Sequence, residues 1–423
     1  MKRAVVMIID GLRADMVGEN FTPLLNKLIE RSQWFTQQRS VFPSATRVNS
    51  ASISTGCWPM SHGLAGNAIA LDEGDGLKAV SVGPPEFRER LRRATGRTLH
   101  RPTLAERLRP HGGAVIYSNS SAGSAHMQDP DSHGWLFHRN GSFAPGMEAI
   151  TDDRHLDVTY DAAGDAQTTH QFCQALANPG DALLHLLWIC EPDHSQHTLE
   201  LGSPEHREVL AHSEQCALRV SESVDALRGA GDDVLFVIAS DHGHETVDEI
   251  IPVNKLLVAA GLKEDMDSSD VVLASSGMGA LIYLSDEARG RQKKIAEWIR
   301  HQEWSDVVYE GESLEKVGQR SDTALAIAFG MAKRDAENPY GVRGFGHVAG
   351  DIFMKSDTPG HGQHGGLGAY ETNPLLGISG GGFGAGKNDH PSRTIDIAPT
   401  VLRHLGVGFD GMDGKPLPPL TST

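Results

Sequence analysis

The 423-residue sequence predicts an α/β fold, a doubly wound and mostly parallel central sheet with helices on both faces. Two observations carry that expectation. Runs rich in Val, Ile and Leu, as expected of strands buried on both faces, occupy 4–9 (AVVMII), 182–190 (ALLHLLWIC) and 234–240 (VLFVIAS), with AVIYS at 114–118 as a fourth. Helical spacing separates them, in TPLLNKLIERS, TLAERLRP, QTTHQFCQALAN and the long 204–229 segment.

Each of the three longer runs ends in polar chemistry. The first stops at Asp10-Gly11, the second enters EPDHSQH at 191–197, and the third enters Asp241-His242-Gly243-His244. Ligands of open α/β sheets bind beyond the carboxyl ends of the strands. These groups are therefore expected on one edge of the sheet despite their separation in sequence. Residues 245–345 differ in texture and carry the charged helix ARGRQKKIAEWIRHQE. They read as an inserted cap subdomain between a first core part, 1–244, and a completing part, 346–423. That last part runs through TPGHGQHGGLG and NPLLGISGGGF to the helix TIDIAPTVLRHLG.

Composition narrows the function. Hydrophobic residues make up 39% and charged residues 22%, the balance of a globular protein. A net charge of −17 argues against nucleic acid polymers and anionic membranes. It leaves room for a small anionic substrate where bound metal ions reverse the local field. Cys57, Cys173, Cys190 and Cys216 form no CxxC pair and read as thiols of a reducing compartment. MKRAVVMIIDG has too short an apolar run for a secretory leader and reads as a first strand, so a cytoplasmic location is expected.

Asp193 and His197 are four apart, so one helical turn can offer both to a single metal. Asp241 and His242 are adjacent at a strand end, Asp10 is another strand-end carboxylate, and His364 lies in a Gly-rich loop. Oxygen and imidazole donors without thiolate suit Zn²⁺, Mn²⁺ or Fe²⁺. Helix capping is the competing explanation for the aspartates, but it leaves the histidines unexplained. The stretch VFPSATRVNSASISTG then offers a helix that starts near Thr46 and stops at Gly56. A metal held by Asp10, Asp241 and His242 would activate the Thr46 hydroxyl. Asn49, one turn later, would donate to a non-bridging oxygen. Alternatively, this small-residue helix packs tightly on the sheet and does no chemistry.

The order of the motifs VVMIIDGLRADM, FPSATRVNSASISTGCWPMSHGLAGN, EPDHSQH, IASDHGH and GQHGG resembles the alkaline phosphatase superfamily, specifically its nucleotide pyrophosphatase/phosphodiesterase branch. The resemblance implies a two-metal hydrolase. Asp10, Thr46, Asp241 and His242 would hold one ion, and Asp193, His197 and His364 the other, with His361 as a rival for His364. Zn is the expected metal, with Mn or Fe as alternatives. Thr46 would be the nucleophile and Asn49 its oxyanion partner.

Substrate is less closely implied. Nucleotide-cleaving members usually carry an aromatic residue directly after the nucleophile, where this chain has Arg47. A guanidinium suits a second anionic group. YSNSSAGSAHM has no lysine of the kind phosphonoacetate hydrolase uses, and CWPMS follows the helix rather than beginning it as the sulfatase motif does. The expected activity is hydrolysis of phosphodiester or pyrophosphate bonds through a covalent phosphothreonine. The alternatives are a phosphonate or phosphomonoester hydrolase and, from another class, a non-catalytic metal-bound sensor of phosphorylated ligands.

Overall fold

The structure, a computed structural model, describes residues 1–350 and 357–420. Of the stretch 346–423, residues 351–356 and 421–423 therefore lie outside the described residues. Ten strands form the main sheet: β1 (Lys2–Ile9), β2 (Gln33–Phe35), β3 (Ala114–Ser118), β4 (Trp135–His138), β5 (Ser142–Ala144), β6 (Glu148–Ile150), β7 (Leu184–Ile189), β8 (Asp233–Ala239), β9 (Leu376–Ser379) and β10 (Gly386–Asn388). Their spatial order is β10-β2-β9-β8-β1-β7-β3-β4-β5-β6. The central run β8-β1-β7-β3-β4 is parallel throughout. Antiparallel pairing enters toward the margins, through β9, which runs antiparallel to both β8 and β2, and through β5 and β6.

The alternation along β1 shows why this sheet must be covered twice. Val5, Met7 and Ile9 join one buried cluster, and Ala4, Val6 and Ile8 join another. Helices α1 (Pro23–Glu30), α3 (Ala162–Ala177) and α4 (Pro204–Gly229) supply Leu25, Phe172 and Val220 to the first cluster. Helices α2 (Thr46–Thr55) and α5 (Ile397–Leu405) supply Ile53 and Val401 to the second.

Residues 245–345 build further layers. Strands Val271–Ser275, Gly279–Leu284, Ser305–Glu310 and Leu325–Met331 form a four-stranded antiparallel sheet with its own apolar cluster. Two features cross the expected boundaries. Strand Arg343–Ala349 runs past residue 345 and pairs with Glu245–Ile251. The hairpin Ala68–Asp72/Leu77–Ser81, from the expected first core part, shares a buried cluster with Leu281 and Tyr283 of the four-stranded sheet.

Register places the chemistry. Ile9 lies opposite Ile189, and Ile8 opposite Ala239, so β1, β7 and β8 end level with one another. Asp10, the turn at Asp193 and the Asp241–His244 segment leave the sheet at the same edge. The amide of Asp193 donates to the Asp10 carbonyl at 3.1 Å.

Candidate active site

Asp10, Asp241 and His242 form one buried group, and Asp193, His197, His244 and His364 form another. Within each, one potential ligand atom per residue lies within 4.8 Å of the others. The loops permit this closeness. Gly11 has a φ of +72°, and a Cβ there would meet His244 Cε1 at 2.8 Å and Asp193 Cβ at 2.9 Å. His361, the rival for His364, forms a strand bridge to Glu200 and belongs to neither group.

The hydrogen bonding of Asp10, Asp241, His242 and His364 leaves one atom of each aimed inward. Trp188 Nε1 donates to Asp10 Oδ2 at 2.8 Å, and the Gly11 amide donates to Asp241 Oδ1 at 3.2 Å. Asp10 Oδ1, Asp241 Oδ2 and Asp193 Oδ1 are buried without a hydrogen-bond partner. His364 Nδ1 is 2.8 Å from the Ser44 carbonyl, and His242 Nδ1 is 3.1 Å from the Gly243 carbonyl. Those contacts place a proton on each Nδ1 and leave a lone pair on each Nε2, that of His242 beside the Thr46 hydroxyl, the usual arrangement of a ligating histidine. An orphaned buried carboxylate oxygen is costly unless a cation satisfies it. The donor set thus fits two divalent ions.

Electrostatics agree. Burial, then the charges of Asp241 and Asp193, push the Asp10 carboxyl well above its ordinary value. Burial also raises Asp241. Burial opposes ionisation of Asp193 too, but His197 and His244 overcome it and hold that carboxyl well below the usual range. Burial lowers His244 to about 4 and drives His364 well down. Burial opposes the charge of His197 as well, but Asp193 overcomes it and raises that imidazole, so burial sets the directions of Asp10, Asp241, His244 and His364 while Asp193 and His197 hold each other charged.

Thr46 is the first residue of α2, and Ala45 before it provides no side-chain cap. The Thr46 hydroxyl lies 3.0 Å from His242 Nε2 and faces a cavity of ≈ 340 Å³ that Asp10, Arg47, Asn67, Asp193 and His364 also line. Gly56 ends the helix in the left-handed region, at a φ of 65°. The other hydroxyls of α2 are committed to structure. Ser50 and Ser54 donate to the carbonyls of Ser124 and Met127, Ser52 pairs with His62, and Thr55 bonds back to Ala51. The close-packing reading therefore describes most of this helix, and Thr46 is its exception.

Asn49 does not line the cavity. Side chains on a helix lean toward its N-terminus, and Asn49 reaches back over the loop that enters α2. Its Oδ1 accepts from the Val41 amide at 3.1 Å and the Thr394 hydroxyl at 3.0 Å, while Nδ2 donates to the Ala45 carbonyl at 3.1 Å. Asn67 lines the cavity instead, and its Oδ1 accepts from the Arg47 amide at 2.9 Å, which fixes the orientation of its carboxamide. Arg47 sits in the cavity wall with Nε donating to Ser121 Oγ at 3.2 Å.

Solved structures share this fold. Murine ectonucleotide pyrophosphatase/phosphodiesterase 5, an inactive threonine-to-alanine variant in complex with AMP, aligns at a TM-score of 0.67 and 16% identity, covering 100% of this chain and 98% of that one. Phosphonoacetate hydrolase from Sinorhizobium meliloti 1021 in complex with phosphonoformate aligns at 0.67 and 18% identity, covering 95% of each chain. In sequence, a 63-residue stretch is 41% identical to an uncharacterized pyrophosphatase/phosphodiesterase of Schizosaccharomyces pombe, spanning 15% of this chain and 13% of that protein. Fold and family together define the class as a phosphoester hydrolase of the alkaline phosphatase superfamily. More particularly, the chain belongs to the type I phosphodiesterase/nucleotide pyrophosphatase family, whose model matches residues 4–334.

Proposed function

We propose that the chain hydrolyses phosphodiester or pyrophosphate bonds of small phosphorylated substrates, with Thr46 as nucleophile. The observation that carries this reading is the Thr46 hydroxyl, 3.0 Å from His242 and open to a cavity lined by Asp10 of one donor group and Asp193, His197 and His364 of the other. Asp10, Thr46, Asp241 and His242 would hold one ion, and Asp193, His197 and His364 the other. Two such ions supply charge that lowers the hydroxyl pKa and stabilises the leaving oxygen. Thr46 Oγ attacks phosphorus in line as its proton passes to solvent, and the bond to the leaving oxygen breaks, that oxygen departing as an anion that takes a proton from solvent. Water then attacks the phosphothreonine and frees Thr46. Asn67 donates to a non-bridging oxygen, the role expected of Asn49. A panel of diesters, pyrophosphates, monoesters and phosphonates, assayed with Zn²⁺ and then with Mn²⁺ or Fe²⁺, tests the reading. Turnover of none of them would overturn it and favour a non-catalytic sensor. A cytoplasmic location belongs to the same proposal. It is supported by four thiols, none in a disulfide, and is checked by cell fractionation.

The two asparagines are expected to separate cleanly. Asn67→Ala should lower kcat by about 10²- to 10³-fold, the cost of one oxyanion donor. Asn49→Ala should leave kcat within a few-fold while lowering unfolding stability by about 1–3 kcal/mol, because it strands buried amide and hydroxyl donors. Paired kinetics and denaturant melts on both variants check this, and the reverse pattern would return the oxyanion role to Asn49.

Arg47 in the cavity wall favours a second reading, a monoester or phosphonate substrate carrying an additional negative charge. A charge-assisted hydrogen bond contributes roughly 1.5–3 kcal/mol, or about 10- to 150-fold in kcat/KM. Arg47→Ala should cost that much on a doubly charged monoester and spare a singly charged diester. Equal losses on the two substrates would remove Arg47 from charge selection.

A further inference from the structure

We propose that His244 is a fourth protein ligand of the ion at the Asp193–His197–His364 centre. The proposal rests on the two-metal reading above and concerns a residue that reading does not require.

The donor spacing carries it. Asp193 Oδ1 has His244 Nε2 at 3.2 Å, His197 Nε2 at 3.5 Å and His364 Nε2 at 3.5 Å. Tetrahedral bonds of about 2.0–2.1 Å hold neighbouring donors about 3.3 Å apart. These contacts are not hydrogen bonds. Asp193 Oδ1 and both ring nitrogens of His244 are buried and unpartnered, although His244 Nε2 lies within reach of the carboxylate. Atoms that close without donor–acceptor alignment converge on a shared point rather than on each other.

The ring is also held in place. It is fully buried, with Gly11 against one edge and Gly362 against another, where an added Cβ would come 3.2 Å from His244 Cδ2. Arg13 Nη1 donates to the His244 carbonyl at 3.1 Å. The segment from Asp241 to His244 thereby serves both centres. Asp241 and His242 face Asp10, and His244 joins the group of Asp193. Three protein donors leave a zinc-type site one open position, whereas four close it. The His244 centre is thus built to retain its ion, and a substrate oxygen would enter it as an added ligand.

The competing role is indirect, with His244 only orienting Asp193 through a hydrogen bond. Metal-free protein titrated with Co²⁺ separates the two, followed by visible absorption for wild type, His244→Ala and His244→Gln. The wild type should bind two equivalents. Both variants should lose about 100-fold or more in affinity at one site, beyond the roughly 10- to 100-fold that an outer partner is worth, with altered ligand-field bands. Unchanged bands in His244→Ala, or full restoration by His244→Gln, would overturn the proposal. Failure of the wild type to bind Co²⁺ would instead strike the two-metal reading. Long-range ¹⁵N–¹H spectra of the zinc-loaded wild type decide the matter even where variants fail to fold. Four histidines with metal-bound ring nitrogens, His197, His242, His244 and His364, support the assignment, and three without His244 reject it.

Discussion

Thr46→Ala is expected to lower turnover by about 10⁴-fold or more while leaving the fold intact, since loss of a nucleophile removes a step that no neighbouring group replaces. On the scale of ~1.4 kcal/mol per decade that is about 5.5 kcal/mol of transition-state stabilisation. The structure leaves little room for substitution by another hydroxyl. Ser50, Ser52, Ser54 and Thr55 all bond elsewhere, and Ser44 is turned toward the Gly366 carbonyl at 2.9 Å. The variant should still bind metal, because Asp10, Asp241 and His242 remain. Thr46→Ser keeps the oxygen and should retain measurable activity, losing only the rotamer restriction of a β-branched side chain. Steady-state rates, with mass spectrometry of the Thr46 peptide after acid quench, check both points. A near-wild-type rate in Thr46→Ala would make water the direct nucleophile.

How much of this was legible in the sequence follows from burial. β1, β3, β7 and β8 are buried on both faces, so they read as unbroken apolar runs, and the polar residues after them mark the site edge. β2, Gln33–Phe35, and β10, Gly386–Asn388, are three residues each, too short to show a period. The packing of the Ala68–Ser81 hairpin on the four-stranded antiparallel sheet is a contact between distant segments and has no local pattern. In the site, Asp10, Asp193, His197, Asp241, His242 and His364 stand where spacing and resemblance put them together. Asn49 stands one helical turn after Thr46 and matches the family motif, but helical side chains lean toward the N-terminus, which commits Asn49 to the loop before α2. Asn67 closes the same motif stretch and directly precedes a strand, but no periodicity ties it to Thr46. His244 carried a usable signal. It is a second imidazole in the four-residue DHGH segment that follows β8 at the site edge.

Removal of metal is expected to be as damaging as loss of the nucleophile, and Asp241→Asn shows why the two differ. Chelation should abolish turnover and lower the melting temperature together. An ion bound only by the folded state adds about 4 kcal/mol when its free concentration is 1,000-fold above Kd. Asp241→Asn keeps an oxygen for the Gly11 amide but withdraws the charge that would face the ion. Turnover should fall by about 10³-fold or more, with one metal equivalent lost on dialysis. Stability should move the other way in the metal-free state. Burial, and the repulsion of Asp193, raise the Asp241 carboxyl, so the fold disfavours its ionised form. A raised carboxyl contributes stability that is present at low pH and is lost as pH rises through its folded pKa. A neutral amide escapes that loss. Metal-free Asp241→Asn should therefore melt no lower than metal-free wild type near neutral pH, while metal-loaded wild type melts well above the loaded variant. Melting curves of both proteins, with chelator and with excess Zn²⁺, test the pair of inequalities. A variant that melts below wild type in chelator would show that Asp241 is held by contacts of its own rather than waiting on a cation.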